Sequence, residues 1–328
     1  MTEKVTCFLK IYDESDPSHF GIGEAAVFPG LSPEANEGYE YKLVELLANI
    51  ALGKPTDLSR HSSIQFGLEQ AIRDYSAGCE GVYFHTDFVK GKSDITINGL
   101  VWMGSHDEMR RRALDKLSQG FHCVKFKIGE LDWDAELEML KEIRSLSDTL
   151  EIRVDANGGL KHDIIMEQLS ALADLNISSI EQPIPKGNAE YMAKLCRETP
   201  IPIALDEELI GIYTYEERER LLNAIHPQYI VLKPALCGGF SGAEEWIECA
   251  RQLGIGWWIT SALESNVGLN ALAQWTAGFQ PAMAQGLGTG ALYLNNFEVP
   301  LTLDGEKLHY DNGQVFNHSQ FNGLDWRE

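Results

Sequence analysis

Three acidic residues, Asp155, Glu181 and Asp206, each close a short apolar run at intervals of 26 and 25 residues, and Lys233 closes another 27 residues further on. The runs read EIRVD, SSIE, PIALD and YIVLK. An interval of that length holds one strand, one helix and two connections, so the beat implies alternating β and α elements around a parallel sheet. GLVWM, CVKFKI, GWWITSALES and AMAQGLGTG extend the pattern to eight candidate strands from about residue 99 onward. Between them lie stretches at helical spacing, such as Met109, Ala113 and Leu117, or Leu137, Leu140 and Leu146. Ser105 and Glu108 form a capping box at the first of these, and Gly120 stands where that helix should stop. Eight strands packed this densely favour an α/β fold closed into a (β/α) barrel over an open doubly wound sheet, with the barrel at 99–290.

The first 98 residues follow another grammar. VTCFLKIY and GIGEAAVFPG suggest antiparallel strands, and helical patterns run near 34–51 and 62–78, so 1–98 is expected to form an α+β capping domain. The stretch 13–33, rich in Ser, Pro and Gly, is expected to be a mobile loop over the barrel mouth. After residue 290 no clear helix follows. ALYLNNFEVPLTLDGEKLHY looks like strand and turn structure in a segment, 291–328, that returns to the cap.

Carboxylates at the C-terminal ends of barrel strands converge on the mouth where such folds place their active sites. One acidic residue after a strand is ordinarily the N-cap of the next helix. Three on consecutive strands would repel one another in a partly desolvated site without a cation, and their oxygens suit Mg²⁺, or Mn²⁺. Lys125 and Lys127 flank Phe126, and the alternation of a strand turns both lysines to one face. On an edge strand such a pair decorates the surface, but a barrel has no edge. Lys233 adds an ammonium from the opposite side of the ring, or else snorkels at a strand end. A lysine pKa of about 10.4 lies roughly 3 units above neutrality, a bias of about 4–5 kcal/mol towards the charged form. Burial, a second lysine two residues away and a nearby dication each reduce that bias. The pattern therefore suits Lys127 as a base, Lys125 as its tuning cation and substrate-carboxylate ligand, and Lys233 as an opposite-face acid/base or a cation beside an enolate.

These residues resemble the enolase superfamily, in the muconate lactonizing enzyme subgroup. VKFKIG, RVDANGG, IEQPI, ALDEEL, VLKPAL and SALESNVGLNALAQ fall in the family's order across the whole chain. The resemblance implies Asp155, Glu181 and Asp206 as metal ligands, Lys127 and Lys233 as the acid/base pair, and removal of a proton α to a carboxylate. Superfamily sites use a Lys or His base with Mg²⁺ at the ene-diolate. Dipeptide-epimerising relatives carry an Asp-x-Asp pair on the eighth strand, whereas here Gln285-Gly286-Leu287-Gly288-Thr289-Gly290 offers no carboxylate. Together with SALES this resemblance implies a lyase that eliminates water from a substrate with two carboxylates. Racemisation of N-acylamino acids, dipeptide epimerisation and muconate-type cycloisomerisation are the alternatives. Ser261 and the backbone of Gly286 and Gly288 would contact the second carboxylate, although Ser261 with Glu264 also spells a capping box. Asn157 orients a ligand or Lys125, or is a turn residue. His226, before a proline, reads as a solvated turn residue.

A net charge of −22, from 27 basic and 49 acidic residues, argues against nucleic acid or an anionic membrane as partner. The small carboxylate substrate expected as partner is what the family resemblance implies. Monomer and homo-oligomer are both compatible with the sequence. Six dispersed cysteines without a C-x-x-C pair read as reduced core thiols. With no signal-like N-terminus and no membrane-length apolar run, a cytoplasmic location is expected.

Overall fold

The computed structural model describes residues 4–327; residues 1–3 and 328, at the outer ends of the expected capping and C-terminal segments, lie outside the described residues. The chain opens with an antiparallel hairpin, β1 (Cys7–Asp13) and β2 (Asp16–Ala25). Two helices follow, α1 (Tyr39–Ala51) and α2 (Ser62–Ser76). α2 lies flush on β2 because Gly21 and Gly23 carry no side chain: a Cβ on Gly23 would stand 1.9 Å from the Gly67 carbonyl oxygen. The expected mobile stretch 13–33 is thus corrected, since Asp16–Ala25 is a paired strand whose inner six residues are buried. The first helix begins at Tyr39 instead of near 34, because residues 28–38 form turns in which Ser32 Oγ accepts from Phe28 N and Asn36 Oδ1 from Gly38 N.

β3 (Ile95–Thr96) leads into β4 (Gly99–Val101), after which strand and helix alternate. The order is α3 (His106–Ser118), β5 (Cys123–Lys127), α4 (Trp133–Leu146), β6 (Glu151–Asp155), α5 (Ile165–Asp174), β7 (Ser179–Glu181) and α6 (Ala189–Glu198). Then come β8 (Ile203–Leu205), α7 (Tyr215–Ile225), β9 (Tyr229–Leu232), α8 (Gly239–Gln252), β10 (Gly256–Ile259) and α9 (Asn266–Ala277). β4 to β10 form one parallel sheet in sequence order, each strand lying beside the next in the chain. The Ser105–Glu108 capping box forms as expected, and Gly120 follows α3 at φ 83°.

Of the eight expected strands, seven are strands. The eighth, AMAQGLGTG, makes only isolated parallel bridges, Gln285 to Ile97 and Gly286 to Thr260. Gln285 donates to Thr96 and accepts from Asn98, while Gly286 donates to Ile259 and accepts from Ser261. Pro281 and the three glycines of the run leave too few residues free to extend a ladder. The sheet is therefore a curled parallel one, with Gly286 bonded to β10 at one end and Gln285 bonded to Thr96 and Asn98, in the segment that leads into β4 at the other.

The residues that alternate outward, among them Val124, Phe126, Ile152, Val154, Ile180 and Leu205, pack against the helices in the main core. The inward set contains Arg153, whose guanidinium lies 4.6 Å from the Trp258 ring and donates to Glu151 and to the Ala284 carbonyl. β11 (Leu301–Asp304) and β12 (Lys307–Tyr310) return the chain to β3, matching the strand-and-turn reading of the C-terminal segment.

Carboxylates from the N-terminal segment reach across to two later helices. Glu24 of β2 accepts from Ser265 N, Ser265 Oγ and Gly268 N at the start of α9. Glu69 of α2 accepts from Phe240 N and Ser241 Oγ at the start of α8. Both satisfy first-turn N–H groups that otherwise lack partners. All six cysteines are free thiols, five of them buried. Among the described residues no helix is long and apolar enough to cross a membrane.

Candidate active site

Register builds the site. Lys127 pairs with Asp155 and Asp155 with Glu181 across β5, β6 and β7, so one rung of the parallel sheet carries an ammonium and two carboxylates side by side. Asp206 follows the last residue of β8, and Lys233 the last residue of β9. Lys125, two residues before Lys127, faces the same way, while Phe126 is buried in the outer core. The structure thus brings together all six residues singled out at the strand ends.

Three ammoniums lie against three buried carboxylates. Lys125 Nζ bridges Asp155 Oδ2 at 2.7 Å and Glu181 Oε2 at 2.6 Å. Lys127 Nζ lies 2.7 Å from Asp155 Oδ2, and Lys233 pairs with Asp206. Lys125 stands between Asp155 and Glu181, and among the described residues no three acidic, His or Cys side chains close on a single metal position.

Burial disfavours the charged form of Lys125, yet Asp155 and Glu181 outweigh it and hold the lysine above its usual range. Burial likewise opposes charge on Lys233, and Asp206 and Glu181 reverse the balance. Asp155 is buried too, but two lysines keep its carboxyl well below the usual carboxylate range. Glu181 goes the other way: burial first, then the Asp155 charge, push it up to about 8.

Glu181 Oε1 is buried without a hydrogen-bond partner. An orphaned carboxylate oxygen beside two further buried carboxylates is a hard, anionic donor set, and such a set fits a divalent cation of the Mg²⁺ type.

The surrounding residues fix these groups. Gln182, at φ 40° and fully buried, accepts from Asp206 N and Glu208 N through Oε1. Asn157 accepts from Lys127 Nζ at 2.6 Å and donates to Glu207 Oε1 at 2.7 Å, so it contacts Lys127 and not Lys125. Trp102 borders Lys127, its ring 5.9 Å from Nζ. Gln182, Glu207 and Trp102 stand in the strand-end runs IEQPI, ALDEEL and GLVWM, but nothing in residue type or spacing distinguishes them there.

Ser261 donates to Glu264 and accepts from Leu263 N, so its hydroxyl is already engaged. The capping-box alternative is corrected as well: the N-cap of α9 is Ser265, and Ser261 and Glu264 both precede the helix. Gly286 donates its N–H to Ile259 of β10, and its carbonyl accepts from Ser261 N and Thr260 Oγ1, so it has no backbone donor to offer an anion. Gly288 lies beyond that bridge, near Ile97 and Asn98. His226 is the exposed, left-handed C-cap of α7, as a turn residue should be.

A parallel sheet with lysines and carboxylates at its strand ends defines an enzyme of the enolase kind, and comparison with known proteins agrees. Residues 108–317 match the family model "Enolase C-terminal domain-like". The chain belongs to that family. It is 42% identical to an o-succinylbenzoate synthase of Desulfotalea psychrophila, over 94% of this chain and 92% of the relative. The crystal structure of MenC from the same organism superposes with a TM-score of 0.80 at 41% identity, covering 93% of this chain and 94% of that one. The muconate lactonizing enzyme of Pseudomonas putida, at 22% identity and a TM-score of 0.76 over 97% and 94% of the two chains, shares the fold.

Proposed function

We propose that this chain is a lyase catalysing the o-succinylbenzoate synthase reaction of menaquinone biosynthesis. The reaction dehydrates 2-succinyl-6-hydroxy-2,4-cyclohexadiene-1-carboxylate to 2-succinylbenzoate. The observation that carries the reading is 42% identity to a synthase across 94% of the chain. The cluster of Lys125, Lys127, Asp155, Glu181, Asp206 and Lys233 supports it.

Asp155, Glu181 and Asp206 would hold a divalent cation, Mg²⁺ or Mn²⁺, which supplies positive charge where an enolate forms. Lys127 Nζ, once it has lost a proton, takes the proton α to the ring carboxylate. The carbon–oxygen bond at the neighbouring ring position then breaks, and Lys127 returns its proton to the departing hydroxide as water. The ring becomes aromatic without any redox partner. Lys125 orients the ring carboxylate, and Lys233, lying on Asp206, supplies fixed positive charge to the enolate. Gly288 N–H is the donor in the 285–290 run proposed for the succinyl carboxylate. Ser261 would reach it only by giving up its bond to Glu264. The absence of an acidic residue in 285–290 leaves a dipeptide ammonium without a partner, which favours the synthase reaction over epimerisation.

The same reading includes a closed (β/α) barrel over 99–290, supported by the bond of Gly286 to β10 and those of Gln285 to Thr96 and Asn98, just before β4. It also includes a cap over 1–98, to which 291–328 returns through the β12–β3 pairing. The test is to give the protein the cyclohexadiene substrate with Mg²⁺ and follow aromatisation by ultraviolet absorbance. Steady turnover is expected. Metal-loaded protein that leaves the substrate unchanged would sink the assignment.

A further inference from the structure

We propose that Glu207 is a positioning residue for Lys127, acting through the side-chain amide of Asn157. The inference rests on the reading of Lys127 as the base and adds to the site a residue that makes no contact with the reacting groups itself.

Asn157 stands in the turn after β6 at φ 42°, a left-handed conformation that asparagine tolerates better than most residues. Its neighbours tie that turn down: Ala156 N donates to Glu181 O, and Gly158 N to Gln182 O. What the backbone leaves open is which end of the amide faces Lys127. The two contacts settle it, because an ammonium only donates and a carboxylate only accepts. Lys127 Nζ meets Asn157 Oδ1 at 2.6 Å, and Asn157 Nδ2 meets Glu207 Oε1 at 2.7 Å. Turning the amide over would set an NH₂ against the ammonium and an oxygen against the carboxylate. Glu207 therefore selects the orientation that offers Lys127 an acceptor.

The acceptor matters because it is one of two. Asp155 Oδ2 holds Nζ from one side and Asn157 Oδ1 from the other. Two fixed hydrogen bonds on a tetrahedral nitrogen define where its third position points, and that position is the one left for substrate. Without Glu207 the amide is free to rotate and one restraint on the base is lost. Misplacing a reacting group by about 1 Å can cost on the order of 100-fold in rate.

The bland account of an acidic residue at the start of a short 3₁₀ turn is that it caps the turn. Glu207 does not do so: the turn from Glu207 to Leu209 has no side-chain cap, and its first N–H bond runs from Leu209 to the Asp206 carbonyl. Glu207 Oε2 is buried with no partner. Its Asn157 bond is the one hydrogen bond the carboxylate makes among the described residues.

The experiment compares Glu207→Ala, Glu207→Gln, Asn157→Leu and the Glu207→Ala/Asn157→Leu double variant in Mg²⁺-loaded protein. Glu207→Ala is expected to lower kcat by about tenfold or more with KM within about twofold. Glu207→Gln keeps an acceptor oxygen for Asn157 and should recover most of that loss. The double variant should be no slower than Asn157→Leu alone. In parallel, amine-selective labelling read by mass spectrometry should modify Lys127 several-fold faster in Glu207→Ala and leave Lys125 unchanged. The labelling needs no turnover, so an inactive wild type would overturn the proposed reaction while this inference is still read from Lys127. Glu207→Ala with wild-type kcat and wild-type labelling overturns it. So does Glu207→Gln as slow as Glu207→Ala, or multiplicative effects in the double variant. Should Glu207→Ala not fold, Glu207→Asp, one methylene short of Asn157, takes its place with the same expectations.

Discussion

The Lys125 ammonium lies 2.6 Å from Glu181 Oε2, although the two are 56 positions apart in the sequence. It also bridges to Asp155, so one side chain compensates two buried carboxylates. Removing it as Lys125→Met leaves both facing each other, at a cost of about 3–5 kcal/mol in cation-free buffer. Urea unfolding should show that loss, and Mg²⁺ should restore a larger share of stability to the variant than to the wild type. Equal stability of the two proteins without cation would show that Lys125 is not the compensating charge.

Lys127→Ala should stay folded by circular dichroism and lose about 10²- to 10⁴-fold in kcat, the usual contribution of a positioned general base. Aromatisation rates measure it. A near-wild-type rate would remove Lys127 from the proton transfer.

Asp74 gives a pH dependence far from the strand ends. It is fully buried, accepts from Ile22 N and Gly81 N, and burial pushes its carboxyl up to about 6 from 3.8. A raised folded pKa means that the folded chain holds the proton more tightly than the unfolded one. This contribution therefore favours folding at low pH and is lost as pH rises from about 4 through about 6. Two units correspond to roughly 3 kcal/mol. His318 Nε2, 3.9 Å from Asp74, has its pKa lowered by burial and acts in the opposite sense below its ordinary range. Chemical unfolding from pH 4 to 8 should thus give a stability slope that Asp74→Asn shifts upwards, towards greater stability with rising pH. An unchanged slope in the variant would refute the assignment.

Gly23→Ala tests the contact between β2 and α2. Its Cβ would meet backbone, which cannot swing aside, so a loss of about 1–3 kcal/mol or more is expected. Gly323, which has nothing within 4 Å of the same position, serves as the control, and Gly323→Ala should stay within about 0.5 kcal/mol. Equal melting temperatures for the two variants would contradict the close approach.

What could be read from the sequence was what repetition encodes. The beat of Asp155, Glu181, Asp206 and Lys233 located four strand ends, and the alternation around Phe126 gave the facing of both lysines. These follow from local geometry repeated along the chain. The eighth strand was overestimated because an apolar run followed by glycines does not reveal how few residues remain to form a ladder. The second strand was half hidden in a stretch expected to be loop, since its glycines answer to α2, some fifty residues away. Ser261 and Gly286 are of the right type to meet an anion, yet the hydroxyl of the first is engaged by Glu264 and Leu263 N, and the backbone of the second by Ile259 and Ser261. Gln182 and Glu207 were missed because their roles consist of contacts across 24 to 50 residues, which no local pattern records.

Glu24 and Glu69 terminate helices that begin about 170 to 240 positions later in the chain. Peeling the N-terminal hairpin and α2 away would expose the first turns of α8 and α9, which would then fray. The two parts of the molecule are therefore expected to melt in one transition instead of two, and a calorimetric enthalpy should equal the van't Hoff value despite a chain long enough for separate domains. Cooperativity here resides in two carboxylates, and not only in the area of contact.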